Sequence, residues 1–344
     1  MIKALLRSAL ERVDQWLVPL AARQRHLASL YYLLTNPRFH REHRSVAAGR
    51  ARFNARKPGR SDPMLRRNIH RLEKGLLMRP RHSVFASDYI EATVDAYLEL
   101  EAAGKLDPVE QRWAHDVLCR YFTVVQDTAT ISAARRRFGM QERRATEHPW
   151  SPRPSAQRAE NRVSFEAFRA LCQRRRSVRW FLDKPVPNEL LEQALDVALQ
   201  APSACNRQPF FFRVLEGREQ AGKVARIAMG TKGYADQIPT LLVLLGDLSC
   251  FPHERDRHLP YIDGSLAAMQ LMLALETLGL SSCPINWPDV ESLERRMAKE
   301  LDLPPWIRPV MLIAIGYADP DGEVAYSAKK PAAQLLRRDN RYVD

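Results

Sequence analysis

The chain has 344 residues, of which 45% are hydrophobic, 8% aromatic and 27% charged, a composition typical of globular proteins and not of disordered ones. The longest apolar runs, at 241–245 and 310–315, are far shorter than the roughly 18 residues of a membrane span. Five widely spaced cysteines without a CxxC pair argue against a disulfide framework or a zinc site, so no metal is expected.

The net charge of +13 is unevenly distributed. Residues 1–160 hold 29 Lys and Arg against 17 Asp and Glu, whereas residues 161–344 hold 24 against 23. The stretch 146–162 is rich in Pro, Ser and charge and lacks apolar periodicity, which is typical of a linker. The sequence therefore predicts a basic domain at 1–145, a linker at 146–162 and a second domain at 163–344.

Helical periodicity dominates the first domain. Apolar residues recur every three or four positions from Ile2 to Leu20 and again from Tyr89 to Leu98. A third helix is predicted at 108–125, where Pro108 suits the first turn. The N-terminal domain is thus expected to be mostly or wholly α-helical.

After the linker, helices alternate with short strands. Ser164 and Asn188 suit helix N-caps, and Gly279 suits the end of a long helix. Runs rich in β-formers at 210–216, 239–247 and 308–319 predict strands. The second domain is therefore expected to be α+β, with helices covering a sheet of about five strands.

The stretch RRRSVRWF raises the question of a phosphate site. If it is extended, Arg175, Ser177 and Arg179 share one face, while Val178 and Trp180 point into the protein. Two guanidinium groups around a hydroxyl match one phosphate group. The alternative is a solvated basic turn that closes the preceding helix. The chain has no G-x-G-x-x-G turn and no P-loop, so a phosphate would be bound without a glycine-rich loop.

Four further stretches follow in order: APSACNRQP leading into a β-run, LGLSSCPI, MLIAIGYAD and SAKKPAAQLL. The first, taken alone, is also compatible with an ordinary helix-to-strand loop. Together with R-x-S-x-R, the ordered set resembles the nitroreductase family of FMN-dependent oxidoreductases over about residues 164–338. The resemblance implies an α+β nitroreductase-like FMN-binding fold, with a central, mostly antiparallel sheet flanked by helices, preceded here by the α-helical N-terminal domain.

The resemblance also implies a homodimer with FMN at the subunit interface, hydride transfer from NADH or NADPH through flavin N5 to an unidentified small-molecule acceptor, and no catalytic side chain. The loop at 202–208 would come from the partner subunit. The implied cofactor-binding residues are Arg175, Ser177, Arg179, Pro202, Ser203, Asn206, Gln208, Pro284, Ile285 and Lys329. Lys329 stands where relatives often have arginine, so it can pair with phosphate but not as a fork.

The residues after Pro284–Ile285 depart from the family pattern. Asn286 and Trp287 are candidates for the wall of the substrate cavity, and the alternative for Trp287 is a packing aromatic. The sequence therefore does not identify the acceptor substrate. A second hypothesis is a flavin-dependent dehydrogenase or oxidase that tailors a biosynthetic, for instance polysaccharide-related, intermediate; a third is a flavin-free scaffold or membrane-associated interaction protein.

The N-terminal domain has two unexplained segments. Residues 68–81, NIHRLEKGLLMRPR, could form a lid over the flavin or a salt-bridged helix end. Residues 1–57 hold 12 Lys and Arg against 3 Asp and Glu, which suits an anionic membrane surface or an acidic partner, or else a purely structural helical cap. No nucleic-acid motif accompanies them, so nucleic acid is not expected. The expected location is the cytoplasm, either in solution or at the membrane periphery.

Overall fold

The structure, a computed structural model, describes residues 13–55, 61–139, 146–147 and 149–336. The first part of the predicted helical stripe, Ile2 to residue 12, lies outside them. The helices of the N-terminal part are α1 (13–22), α2 (Arg25–Thr35), α3 (Pro37–Asn54), α4 (Pro63–Leu77), α5 (Ile90–Ala102), α6 (Pro108–Val124) and α7 (Ala129–Phe138). This region is helical as predicted.

The C-terminal part contains a sheet and six helices within the described residues. The helices are α8 (Phe165–Arg174), α9 (Asn188–Ala198), α10 (Arg218–Ala225), α11 (Leu259–Thr277), α12 (Glu291–Leu301) and α13 (Ala332–Leu335). The strands are β1 (Phe210–Glu216), β2 (Thr240–Asp247), β3 (Ser281–Asn286) and β4 (Ile307–Gly316). They lie in the order β1-β2-β4-β3, and every neighbouring pair is antiparallel. The α+β class is therefore confirmed.

Alternation along β2 and β4 divides the core between the two faces of the sheet. Leu241, Val243 and Leu312 belong to one cluster, which α10 and α12 cover. Leu242 and Ile313 belong to the other, beneath α9 and α11. Both faces are covered because β2 and β4 are apolar at nearly every position, which is typical of central strands.

Helices α4 to α7 surround a separate apolar core. Its fully buried members include Leu65, Ile69, Leu118, Phe122 and Phe138. Helical spacing places them on the inner faces of their helices. These four helices therefore form a bundle with its own core.

Helix α3 packs on the C-terminal part instead. A Cβ on Gly49 would lie 2.7 Å from the carbonyl oxygen of Leu248, so only glycine allows this approach. Arg41 forms ion pairs with Glu291 and Glu294 of α12. Thus α3, which lies within the predicted N-terminal domain, packs against the surface of the sheet domain.

Three local predictions differ from the structure. The sheet has four strands in the described residues, not about five, and the extended stretch around Ser177 adds only an isolated bridge. Asn188 is not an N-cap; it already lies in the first turn, and Pro187 precedes it. Trp180 is exposed, whereas Phe181 is buried with Val178, because isolated bridges at positions 177 and 181 do not impose strict alternation.

The caps at Ser164 and Gly279 agree with prediction. The Ser164 side chain accepts a hydrogen bond from the backbone N–H of Ala167. Gly279 follows α11 with a φ of 75°, a left-handed conformation that glycine adopts without strain.

The stretch 146–162 has no strand and only a short 3₁₀ turn, Ser155–Gln157, among its described residues. Its start is fixed by the buried carboxylate of Asp116, which accepts hydrogen bonds from the backbone N–H groups of Thr146 (3.0 Å) and Trp150 (2.9 Å). Burial alone would raise the pKa of Asp116, but these hydrogen bonds outweigh it and hold the pKa below its ordinary value. This stretch is therefore tied to the helical bundle along its first residues.

Candidate functional site

The predicted phosphate-binding residues lie beside β3. Ser177 forms a parallel bridge with Ser282, and the backbone N–H of Val178 donates to the carbonyl oxygen of Ser282 at 3.1 Å. The extended stretch is therefore held along the start of β3, and it carries Arg175 and Arg179 there.

Two polar groups in this cluster lack a hydrogen-bond partner. They are the Nη1 atom of Arg175 and the hydroxyl of Ser282, both buried. No carboxylate of the described residues lies within ion-pair distance of Arg175 or Arg179; Arg174 instead pairs with Glu276 at 3.4 Å. Buried donors without acceptors are costly, so this arrangement suits an anionic ligand that accepts several hydrogen bonds.

Cys283 and Tyr234 lie within the same cluster. Burial raises the pKa of the Cys283 thiol, although the charge of Arg179 acts in the opposite direction. Burial likewise raises the pKa of Tyr234, whose ring lies 5.9 Å from the Arg179 guanidinium. Both groups are therefore neutral at physiological pH, and the thiol is not an activated nucleophile.

A second cluster is the loop at 202–208. Cys205, Asn206 and Gln208 have φ values of 53°, 52° and 50°, a left-handed conformation that non-glycine residues rarely adopt. Such strain is typical of functional loops and must be held by surrounding contacts.

Several hydrogen bonds hold this loop. The backbone N–H of Ala204 donates to Asp263 of α11 at 2.9 Å, and that of Gln208 donates to the Ser203 hydroxyl at 3.1 Å. Burial raises the pKa of Asp263, while the Ala204 hydrogen bond opposes the rise. Pro202 is exposed, and Ser203 is half-buried.

Sequence reasoning missed a contact from the helical bundle. Arg66 of α4 donates from Nε to the carbonyl oxygen of Asn206 at 2.8 Å. Most of the 68–81 segment also belongs to α4, where Nδ1 of His70 and Oε2 of Glu73 lie at a hydrogen-bonding distance of 3.1 Å. Nothing in the local sequence pattern signals a contact between residues 140 positions apart.

The remaining predicted residues lie at the other end of β3 and in the C-terminal segment. Pro284 is half-buried, Ile285 is buried and Asn286 is exposed at the end of the strand. Trp287 is buried and donates from Nε1 to Glu294 at 2.7 Å. Lys329 is exposed in a segment without helix or strand.

No hydrogen bond or ion pair among the described residues joins positions 175–179 or β3 to the loop at 202–208. Within one copy the two clusters are therefore not linked by polar contacts of the described residues.

The described residues include no group of three or more His, Cys, Asp or Glu placed to hold a metal ion. They also include no helix that is long and apolar enough to span a membrane.

Comparison with known proteins assigns the sheet domain. Residues 172–317 match the model of the Nitroreductase family. The chain is 32% identical over 181 residues to an NADH dehydrogenase of Thermus thermophilus, a match that covers 43% of this chain and 85% of the relative. It is 30% identical over 172 residues to an FMN reductase [NAD(P)H] of Bacillus subtilis, a match that covers 45% of this chain and 66% of the relative.

An iodotyrosine deiodinase of Thermotoga neapolitana is 28% identical, with 43% of this chain and 87% of that protein covered. Among solved structures, B. megaterium NfrA2 aligns with a TM-score of 0.46 at 25% identity, covering 53% of this chain and 77% of the other. The family model and the relatives together show that the chain belongs to the nitroreductase family.

Proposed function

We propose that the protein is an FMN-dependent oxidoreductase that takes electrons from NADH or NADPH and passes them to a small-molecule acceptor, acting as a homodimer. Relatives named as FMN reductase and NADH dehydrogenase support the cofactor and the reductant. The observation that carries the proposal is the cluster beside β3, where Arg175 and Ser282 present buried, unpaired donors.

The residues fit the FMN phosphate. Arg175, Ser177 and Arg179 supply two fixed charges and a hydroxyl at one place, and Ser282 adds a second hydroxyl. A phosphate dianion would accept hydrogen bonds from these groups and balance the charge of the two guanidinium groups. Lys329 would add a further cation from the C-terminal segment.

The other residues would orient the flavin ring. When bound, FMN accepts a hydride from a reduced nicotinamide and returns the electrons to a second substrate. Pro284 and Ile285 would offer backbone groups to the ring, and the loop at 202–208 of the second subunit would close the site. On this proposal no side chain needs to act as acid or base, because the flavin carries the redox chemistry.

Exposed apolar surface supports the homodimer. Phe165 and Phe168 of α8 are exposed, as are Ile262 and Leu266 of α11. α11 is mostly apolar and has no polar face, since its two acidic residues, Asp263 and Glu276, are buried, and such a helix is normally covered on all sides. A second copy over α8 and α11 would cover these exposed apolar residues. It would also bring the cluster beside β3 of one subunit together with the loop at 202–208 of the other.

Double substitution Arg175→Ala/Arg179→Ala tests the phosphate assignment. We expect a folded protein that retains little FMN, because both charge-assisted partners of the phosphate are gone. The matched control is Arg255→Ala/Arg295→Ala, which removes two arginines with exposed side chains elsewhere in the same domain. FMN content is measured by flavin absorbance after gel filtration. An unchanged FMN content in the first variant would refute the assignment.

A second proposal concerns location: the N-terminal helices place this cytoplasmic enzyme at the surface of an anionic membrane. Helices α1 and α2 expose Trp16, Leu30 and Leu34, and no residue of α2 is buried. Exposed apolar side chains next to the basic residues Arg23 and Arg25, in a part of the sequence with a large excess of Lys and Arg, suit a peripheral membrane segment. Sedimentation with vesicles of phosphatidylglycerol tests it, with phosphatidylcholine vesicles as the control. Binding to neither kind of vesicle would contradict the membrane proposal. Equal binding to both would contradict the role of electrostatic attraction in it.

A further inference from the structure

Arg66 joins the helical bundle to the loop at 202–208. Its Nε donates to the carbonyl oxygen of Asn206 at 2.8 Å, and its Nη2 lies 3.4 Å from Oε1 of Gln208. Both partners are among the three residues of the loop with left-handed backbone conformation. The guanidinium fork thus holds two strained residues at once.

The bundle fixes Arg66 in turn. Its Nη1 pairs with the carboxylate of Glu110 at 2.9 Å, and its guanidinium lies 5.3 Å from the ring of Trp113. Glu110 is only 3% exposed and also accepts a hydrogen bond from the Ser61 hydroxyl at 2.6 Å. A cation held by a buried carboxylate and an aromatic ring has little freedom, so Arg66 presents its remaining donors in one direction.

Arg207, a residue of the same loop, makes a further contact. Its side chain is buried, and its guanidinium lies 4.9 Å from the ring of Phe251. The loop therefore contacts both α4 and the segment after β2, while Ser203, Asn206 and Gln208 remain half-buried.

We propose that Arg66, fixed by Glu110, is a positioning residue that holds the loop at 202–208 in the conformation that binds FMN, so that the helical bundle is part of the cofactor site. This inference rests on the proposed flavin function. Without Arg66, the cost of three left-handed residues favours other loop conformations, and the binding conformation becomes a minor state.

The experiment uses Arg66→Met in the full-length protein. Hydrogen exchange of the loop amides in flavin-free protein reports the loop itself, and we expect it to accelerate about tenfold or more. FMN titration by flavin fluorescence reports the consequence, and we expect the Kd to rise about tenfold because affinity falls with the fraction of competent protein.

Arg71→Met is the matched control. Arg71 lies on the same helix, pairs with Asp88 at 3.4 Å and stacks on Tyr89 at 3.6 Å, so it has the same kinds of partner without touching the loop. We expect neither loop exchange nor FMN affinity to change in this variant.

Arg66→Lys separates positioning from folding. Lysine keeps the charge beside Glu110 but cannot reach Asn206 and Gln208 with a planar fork. We expect an unchanged melting temperature together with faster loop exchange and weaker FMN binding.

Each outcome decides between the inference and the proposed function. Unchanged loop exchange in Arg66→Met refutes the positioning role whatever the cofactor is. Faster exchange with unchanged FMN affinity also refutes it. If the wild type binds no FMN, the proposed function fails, and the inference that Arg66 holds an FMN-binding conformation fails with it, even where loop exchange shows that Arg66 fastens the loop.

Discussion

The attachment of α3 to the sheet domain depends on a buried ion-pair network, and substitution of Arg41 tests it. The Arg41 guanidinium lies among Glu291, Glu294 (3.0 Å) and Asp289 (3.4 Å), with 14% of its side chain exposed. Glu294 is 6% exposed and keeps one other cation, Arg308, at 3.3 Å. Arg41→Met would therefore leave the buried Glu294 carboxylate, and the more exposed carboxylates of Glu291 and Asp289, short of one positive charge.

Removal of one partner of a buried ion pair typically costs about 3–5 kcal/mol. Because Arg308 and the Trp287 indole still contact Glu294, we expect the lower value, about 3 kcal/mol. A loss of this size corresponds to roughly a hundredfold faster exchange of the α3 amides if they exchange by local detachment of the helix.

The assay is native-state hydrogen exchange of the α3 peptides, with Arg50→Met as the control. Arg50 lies on the same helix and also reaches the sheet domain, through Glu254, but this pair is largely exposed. An exposed pair contributes little, so we expect at most a few-fold change. Equal acceleration in the two variants would refute the argument that burial gives the Arg41 network its strength.

Gly49→Ala should destabilise the protein by about 1–3 kcal/mol in urea unfolding, because the added methyl group meets the backbone of Leu248; a neutral result would contradict the close approach. Asp116→Asn should cost about 1–3 kcal/mol at pH 7. Since folding lowers the pKa of Asp116, this stability is present above about pH 4 and is lost progressively as pH falls further, so the difference in unfolding free energy between variant and wild type should narrow with acidification.

Local signals in the sequence were sufficient for most elements. Pro108 begins α6, the side chain of Ser164 caps α8, and Gly279 ends the long helix α11 with the expected left-handed backbone. The apolar runs that became β2 and β4 were also recognisable, since central strands are apolar on both faces.

Contacts between distant residues could not be predicted in this way. Arg41 and Glu291 are 250 positions apart, and Arg66 and Asn206 are 140 apart, so no periodicity relates them. The basic residues of the N-terminal part were recognised as a charge excess, but not as partners of particular carboxylates. The sequence therefore contained no sign of the contacts that Arg41 and Arg66 make with the sheet domain.

The candidate site was predicted in part. Proximity of Arg175, Ser177 and Arg179 followed from extended geometry, and the structure places all three beside β3. The hydroxyl of Ser282 was missed, because its role depends on the parallel bridge to Ser177 and not on any motif. The roles of these residues in cofactor binding remain predictions.

The visible spectrum of the full-length protein, purified without added cofactor, is the most direct test of the proposed FMN-dependent function. We expect a yellow protein with flavin absorbance, release of FMN on denaturation, and bleaching on anaerobic addition of NADH or NADPH. A protein that retains FMN but is bleached by neither nicotinamide would instead support an oxidase acting on another substrate. A colourless protein that also fails to bind added FMN would contradict the proposed FMN-dependent function.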